Sequence, residues 1–240
     1  MSLEGKTVLV TGGTKGIGRG MAAALAKAGA EVITTGRTDG GDAAIGRFER
    51  LEMGSGRAAI NAFAERLWAA TGGIDALFNN AGAVVMKAAL ETDEAEWQEL
   101  LDVNLSGLFW ACQSFGRRML ERGRGKIVNV GSDIGIRGEA NWAAYAATKG
   151  AVVSLSKSLA WEWAPAVTVN VIAPGPFDTP ANAPAFDIPE VREMVNARVP
   201  LGRVGEPEAD LGPLAVLLAG RGSDFMTGAV FRVDGGICRS

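Results

Sequence analysis

The chain has no histidine, a single tyrosine and only two cysteines among its 240 residues. Without imidazole there is no Ser-His-Asp or Cys-His nucleophile system and no histidine-ligated zinc site. Proton transfer near neutral pH is left to a carboxylate, a lysine, the tyrosine or a bound cofactor. Cys112 and Cys238 are far apart in sequence, which argues against a disulfide framework and a cysteine-rich metal site. A formal net charge of -3 leaves no polycationic footprint for nucleic acid or an anionic membrane. No run is long and apolar enough to span a bilayer, and residues 1–6 lack the apolar centre of a leader. These absences predict a cytoplasmic protein with neither nucleic acid nor membrane as a partner.

What is present is a core. With 48% apolar and 21% charged residues, the chain reads as one globular domain. The apolar run 7–10 ends at Thr11-Gly12-Gly13-Thr14-Lys15-Gly16-Ile17-Gly18, and 19–28 follows as an Ala-rich helix stopped by Gly29. Strand, glycine-rich turn and helix together present backbone N–H groups and a helix N-terminus to a pyrophosphate. A P-loop would end in Gly-Lys-Ser/Thr, which Gly18-Arg19-Gly20 does not supply. The second strand, 31–35, leads to Gly36-Arg37, where an NAD site usually carries an acid for the ribose 2′-OH. A guanidinium there suits a 2′-phosphate, and Lys15 adds a second positive charge. NADP(H) is therefore favoured, with NAD(H) the lesser alternative.

Residues 38–46 are too short and glycine-rich for a crossover helix. Further strands are expected at 47–51, 74–78, 126–130, 167–172 and 229–233, and helices at 58–70, 94–120, 191–197 and 208–219. A helix carrying Tyr145 runs to about residue 163. The fold class is α/β: a doubly wound Rossmann-type domain with a parallel seven-stranded sheet flanked by helices. Five of the nine prolines fall between Pro174 and Pro189, so 176–200 reads as a small lid over the carboxyl ends of the strands. Open α/β sheets bind ligands at that edge.

Tyr145 and Lys149 are four residues apart, about one helical turn, and share a face. A phenol beside an ammonium is a proton donor whose pKa the positive charge draws down. Asn104 sits inside an apolar helical stretch and needs partners, because an unsatisfied buried amide costs about 1–3 kcal/mol. A structural role for it stands beside a catalytic one.

Over nearly its whole length the chain resembles the short-chain dehydrogenase/reductase family. The resemblance is carried by Thr11-Gly12 to Gly16-Ile17-Gly18, Asn79-Asn80-Ala81-Gly82, Asn104, Ser132, Tyr145 with Lys149, and Pro174-Gly175 with Thr179, in that order. It implies a ketone/secondary alcohol oxidoreductase in which Tyr145 is the acid or base and Ser132 binds the substrate oxygen. Lys149 would hold the nicotinamide ribose and depress the phenol pKa, and Asn104 would hold a water in a relay ending at Lys149. Gly12, Thr14, Lys15, Gly16, Ile17 and Gly18 would face the pyrophosphate end, and Asn80, Ala81 and Gly82 the ribose. Arg37, Glu52 and Met53 would face the adenine end, Thr179 the carboxamide, and Pro174, Gly175 and Phe177 are further cofactor-binding candidates. The shortened stretch after Arg37 and the pair Glu52-Met53 depart from many relatives, both at the adenine end.

Within that family the segments 174–180 and 199–203 look most like bacterial sugar-acid, polyol or 3-oxoacyl reductases. A carrier-protein substrate would want a basic patch, for which Arg137, Arg192, Arg198 and Arg203 are candidates. A non-catalytic nicotinamide-nucleotide sensor or scaffold is the alternative, and an epimerase or dehydratase a third. The resemblance also implies a homo-oligomer, dimer or homotetramer, with Leu155, Leu159, Trp161 and Trp163 as candidate apolar surface.

Overall fold

A computed structural model of the chain describes residues 1–38 and 40–238. The apolar runs pair as one parallel sheet of seven strands: β1 (Thr7–Thr11), β2 (Glu31–Gly36), β3 (Arg47–Arg50), β4 (Ala76–Asn79), β5 (Gly125–Val130), β6 (Val167–Pro174) and β7 (Val230–Val233). Their order is β3-β2-β1-β4-β5-β6-β7, so the chain reverses direction across the sheet between β1 and β4. Every residue of β1 is buried, as expected of a strand covered on both faces. Register brings Thr11 opposite Asn79, Asn79 opposite Asn129, and Pro174 opposite Val233, so the carboxyl ends line up along one edge.

Helices cover both faces. One apolar layer packs Leu9, Ile33, Phe63, Leu77, Phe115, Ile127 and Val152 on one side. The other packs Val8, Val10, Met21, Leu25, Phe78, Val128 and Leu218. α1 (Gly16–Lys27) and α9 (Gly212–Ala219) lie on the second face, and α2 (Arg57–Thr71) on the first. Between β2 and β3 no helix forms among the described residues, in agreement with the shortness of that stretch.

The helix expected at 94–120 is a rod of three parts. α3 (Glu94–Leu100) opens with a reciprocal capping box between Asp93 and Glu96. A wide π-type turn, Leu101–Gly107, follows, and α4 (Leu108–Arg122) ends at Gly123 with φ +75°. Sequence periodicity does not reveal the wide turn, because apolar spacing continues through it. Within the turn Asn104 is hydrogen-bonded to the Ala83 backbone, and Gly107 lies against the Met53 carbonyl, where no Cβ would fit. A similar turn, Pro207–Leu211, precedes α9.

α5 (Ile134–Arg137) is a single turn that the sequence reading did not anticipate, and α6 (Ala143–Trp163) carries Tyr145 and Lys149. Buried amides fix α6 to the sheet. Asn79 Nδ2 donates to Asn129 Oδ1 at 2.8 Å, and Asn129 Nδ2 donates to Ser156 Oγ of α6 at 2.9 Å. Residues 176–200 hold α7 (Ala183–Phe186) and α8 (Pro189–Arg198). Phe177 pairs with Gly205, and Arg192 binds Asp178 at 2.7 Å. No described helix is long and apolar enough to cross a membrane.

Candidate active site

The sheet's carboxyl edge collects the residues singled out from sequence. After β1 the chain turns at Gly12, with φ +62°, where a Cβ would stand 2.9 Å from the Ala81 Cα. A Cβ at Gly18 would run into Asn80 Nδ2 and the Gly12 carbonyl. The side chain of Asn80 donates to the carbonyls of Thr11 and Gly12, both at 3.0 Å, so it braces the turn. α1 starts there with Lys15 at its cap, no side chain capping it and no acid in its first turn. Free N–H groups and the positive end of a helix dipole fit a pyrophosphate. Thr179 closes on the same turn, its Cβ 3.4 Å from where a Gly16 Cβ would be. Arg37 and Lys15 are exposed at the rim. The residues present therefore fit a dinucleotide with a phosphate at its adenosine end.

Two residues expected at the cofactor have side chains buried in the apolar layers. Met53 (5% exposed) packs under the sheet, and Phe177 (2%) packs against Gly205 and the opposite apolar layer. Pro174 is likewise buried at the end of β6. Apolar residues flanking a cleft in sequence satisfy the core first, because burial removes them from water. Glu52 and Thr14 remain on the surface side, and Gly175 packs on Asp234.

At the other end of the edge, Ser132, Tyr145 and Lys149 converge. Ser132 is buried two residues after β5, with its hydroxyl close enough to that of Tyr145 to draw the phenol's pKa down. Ser132 Oγ donates to Asp133 Oδ1 at 3.2 Å and accepts from the Ile134 N–H at 3.2 Å. Lys149 is buried, and its Nζ donates to the Val130 carbonyl at 2.9 Å. That Nζ lies 5.7 Å from the centroid of the Tyr145 ring. Asn104 Oδ1 accepts from the Ala83 N–H at 2.7 Å, while its Nδ2 donates to the Ala83 carbonyl at 2.9 Å and to Thr148 Oγ1 at 3.2 Å. A Cβ on Gly82 would meet both Asn104 Oδ1 (3.2 Å) and Lys149 Nζ (3.5 Å), so glycine is what lets the two groups face one another.

The electrostatics differ from the expectation of a lowered phenol. Burial pushes Tyr145 up to about 12; the Ser132 hydrogen bond opposes the rise and the nearby Asp133 charge adds to it. Burial also draws Lys149 down to about 8, since an ammonium loses hydration there. In the protein alone, desolvation dominates both shifts, and the Lys149 ammonium is engaged by a backbone carbonyl rather than by the phenol.

The four arginines expected as a basic patch are each committed to a carboxylate. Arg137 pairs with Asp133 (2.9 Å) and Glu139, Arg198 with Glu139 (2.7 Å), Arg192 with Asp178, and Arg203 with Asp210 (2.6 Å). Sequence reasoning passed over Asp133, Thr148 and Trp142, whose ring meets that of Tyr145 edge-on at 5.5 Å. Position beside Ser132 and Lys149 was the available signal for the first two.

Fold and site thus define a dinucleotide-dependent oxidoreductase of the open parallel-sheet type. A family described as Enoyl-(Acyl carrier protein) reductase matches residues 12–238. The chain is 41% identical to 2-dehydro-3-deoxy-D-gluconate 5-dehydrogenase of Bacillus subtilis (strain 168), over 98% of this chain and 95% of that protein. It is 36% identical to the 3-oxoacyl-[acyl-carrier-protein] reductase FabG of Aquifex aeolicus (strain VF5), over 99% of both. The solved gluconate 5-dehydrogenase of Burkholderia cenocepacia J2315, in complex with NADP and tartrate, superposes with a TM-score of 0.91 at 32% identity, covering 98% of this chain and 96% of that one. The chain belongs to the short-chain dehydrogenase/reductase family and is an NAD(P)-dependent enzyme of CH–OH groups.

Proposed function

We propose that the protein interconverts a ketone and a secondary alcohol on a small polar substrate of the sugar-acid or polyol kind, using NADP(H) in preference to NAD(H). The observation that carries the reading is the convergence of Ser132, Tyr145 and Lys149 at the carboxyl end of β5, beside a turn that fits a dinucleotide. When bound, the nicotinamide supplies or takes the hydride. Tyr145 supplies the proton to the substrate oxygen in reduction and takes it back in oxidation. Ser132 donates a second hydrogen bond to that oxygen as charge builds on it, an effect of about 10²–10³ in rate for one donor. Lys149, once turned from the Val130 carbonyl, holds a ribose hydroxyl and brings its charge towards the phenol. Asn104 holds the Ala83 backbone open beside Lys149, where a proton relay to solvent would begin.

A small substrate is supported over a carrier protein because the entrance arginines are neutralised by acids. The relative that acts on 2-dehydro-3-deoxy-D-gluconate and the neighbour that holds tartrate point the same way. Preference for NADP(H) is supported by Arg37 at the end of β2, where no acid stands. Segment 176–200 serves as the lid. A homo-oligomer has one exposed candidate, Trp161 (89%), since Leu155, Leu159 and Trp163 pack with the core. The test is cofactor absorbance with a panel of keto-acids, keto-sugars and 3-oxoacyl thioesters, each with NADPH and NADH. The expected result is turnover of a polar ketone with the higher kcat/KM for NADPH. Activity confined to the acyl thioesters, or no turnover with any ketone, overturns it.

A further inference from the structure

A continuous chain of charged groups leaves the reacting end and reaches the segment 176–200. Ser132 Oγ donates to Asp133 Oδ1 (3.2 Å), and the other oxygen of Asp133 accepts from Arg137 Nε (2.9 Å). Arg137 Nη1 donates to Glu139, and Arg198 Nη2 of α8 donates to the same Glu139 oxygen (2.7 Å). Asp133 is buried, its side chain 4% exposed, whereas the Arg198 side chain is half-exposed. A buried carboxylate requires both a cation and hydrogen-bond donors, and Asp133 has one of each. Its donor is the hydroxyl proposed above to bind the substrate oxygen.

We propose that Asp133 is a positioning residue for the reaction: its carboxylate fixes the direction of the Ser132 hydroxyl, and the Arg137–Glu139–Arg198 chain ties that carboxylate to α8. The inference rests on the reading of Ser132 and Tyr145 given above. With its proton on Asp133, the Ser132 hydroxyl is held in one direction, while the Asp133 charge keeps the phenol in its proton-carrying form. Substrate must then draw the Ser132 proton away from Asp133 when its carbonyl arrives. Arg137 weakens the hold of Asp133 by sharing its charge, and the seating of α8 governs how firmly Arg137 is held.

The charges around Tyr145 set the direction of the test. They are Lys149 on its own helix, Asp133 and Arg137 on the turn after β5, Glu139 on the following loop, Arg198 on α8, and the Lys87–Glu96 pair, whose Lys87 backbone N–H donates to the Asn141 carbonyl. Removing the Asp133 charge favours the phenolate, so the apparent pKa governing alcohol oxidation falls. Removing the Arg137 charge exposes Asp133 and moves that pKa up. A purely structural role would not give shifts of opposite sign.

The experiment compares Asp133→Asn, Arg137→Met, Arg198→Met and Ser132→Ala by pH–rate profile, separation of kcat from KM, and cofactor Kd by fluorescence. Asp133→Asn is expected to lower kcat about tenfold with KM within about twofold, and to move the oxidation limb to lower pH. Arg137→Met is expected to move it to higher pH. If Arg137→Met does not fold, Arg198→Met poses the same question from a half-exposed position, with a smaller shift upward that Arg198→Lys reverses. The chain has one tyrosine, so ultraviolet difference titration of the phenol reads Tyr145 alone and should shift in the same directions. Parent-like kcat and pH limb in Asp133→Asn, beside a Ser132→Ala enzyme slowed about a hundredfold, overturn the role of Asp133 and leave the site reading standing. A Ser132→Ala enzyme with parental kcat overturns both.

Discussion

The two ends of the binding edge are built from different materials. At the nucleotide end, Gly12 and Gly18 leave no room for a side chain, Asn80 braces the turn, and the N–H groups of α1 are uncapped. At the reacting end, side chains do the work, and they are buried: Ser132, Asp133 and Lys149 are each below one-tenth exposed. The first end is specified by the absence of Cβ atoms, the second by titratable groups held against their hydration. Damage to the first should therefore appear as lost cofactor affinity, and damage to the second as lost turnover with changed pH dependence.

The sharpest way to break the comparison is Tyr145→Phe. It is expected to cost about 10²–10⁴ in kcat, the range for general acid–base catalysis, with cofactor Kd unchanged by fluorescence titration. Near-normal kcat would remove Tyr145 from the proton path. Lys149→Met should lower kcat and weaken cofactor binding together, by about a hundredfold in kcat/KM, yet raise Tm by a few degrees at pH 7. The sign follows from linkage. The folded Lys149 titrates near 8, below its usual value of 10.5, so the unfolded chain binds more protons between those values and parental stability rises with pH across that window. Calorimetry at pH 7 and pH 10 should show the variant's advantage shrinking. A variant less stable than the parent at pH 7 would mean that the ammonium's bond to Val130 outweighs its desolvation.

At the nucleotide end, Gly18→Ala forces a methyl into Asn80 and the Gly12 carbonyl, and overpacking of this kind costs about 1–3 kcal/mol. Cofactor Kd should rise about tenfold or more while kcat at saturation stays within about threefold. Arg37→Ala should give the smallest change, raising KM for NADPH about tenfold and leaving KM for NADH alone, as loss of one charge-assisted hydrogen bond at an exposed site would. Equal loss with both cofactors would assign Arg37 a structural role.

The nucleotide end was the more legible in the sequence. Strand, glycines and helix are contiguous over 7–28, so their geometry follows from local chemistry, and the shortness of 38–46 agrees with the lack of a helix among the described residues there. Tyr145 and Lys149 were legible as one turn of helix. The direction of the phenol's shift was not, because it depends on how much of the chain buries it. Pairing of the arginines was hidden for a related reason: Arg198 meets Glu139 across 59 residues of sequence. The burial of Met53 and Phe177 was not legible either, because it depends on how the two apolar layers pack. Periodicity could not reveal the wide turn at Asn104, since its apolar spacing continues unbroken.

That turn holds, in effect, one residue more than a regular α-helix would use over the same rise. Deleting a single amino acid between 101 and 107 would let the rod close up as uninterrupted α-helix, with Phe115 and Met119 still directed into the core. The shortened enzyme could then fold and hold its nucleotide, yet its amide would be swung off Ala83 and Thr148. A one-codon loss at this point would thus separate a protein that binds from a protein that reacts.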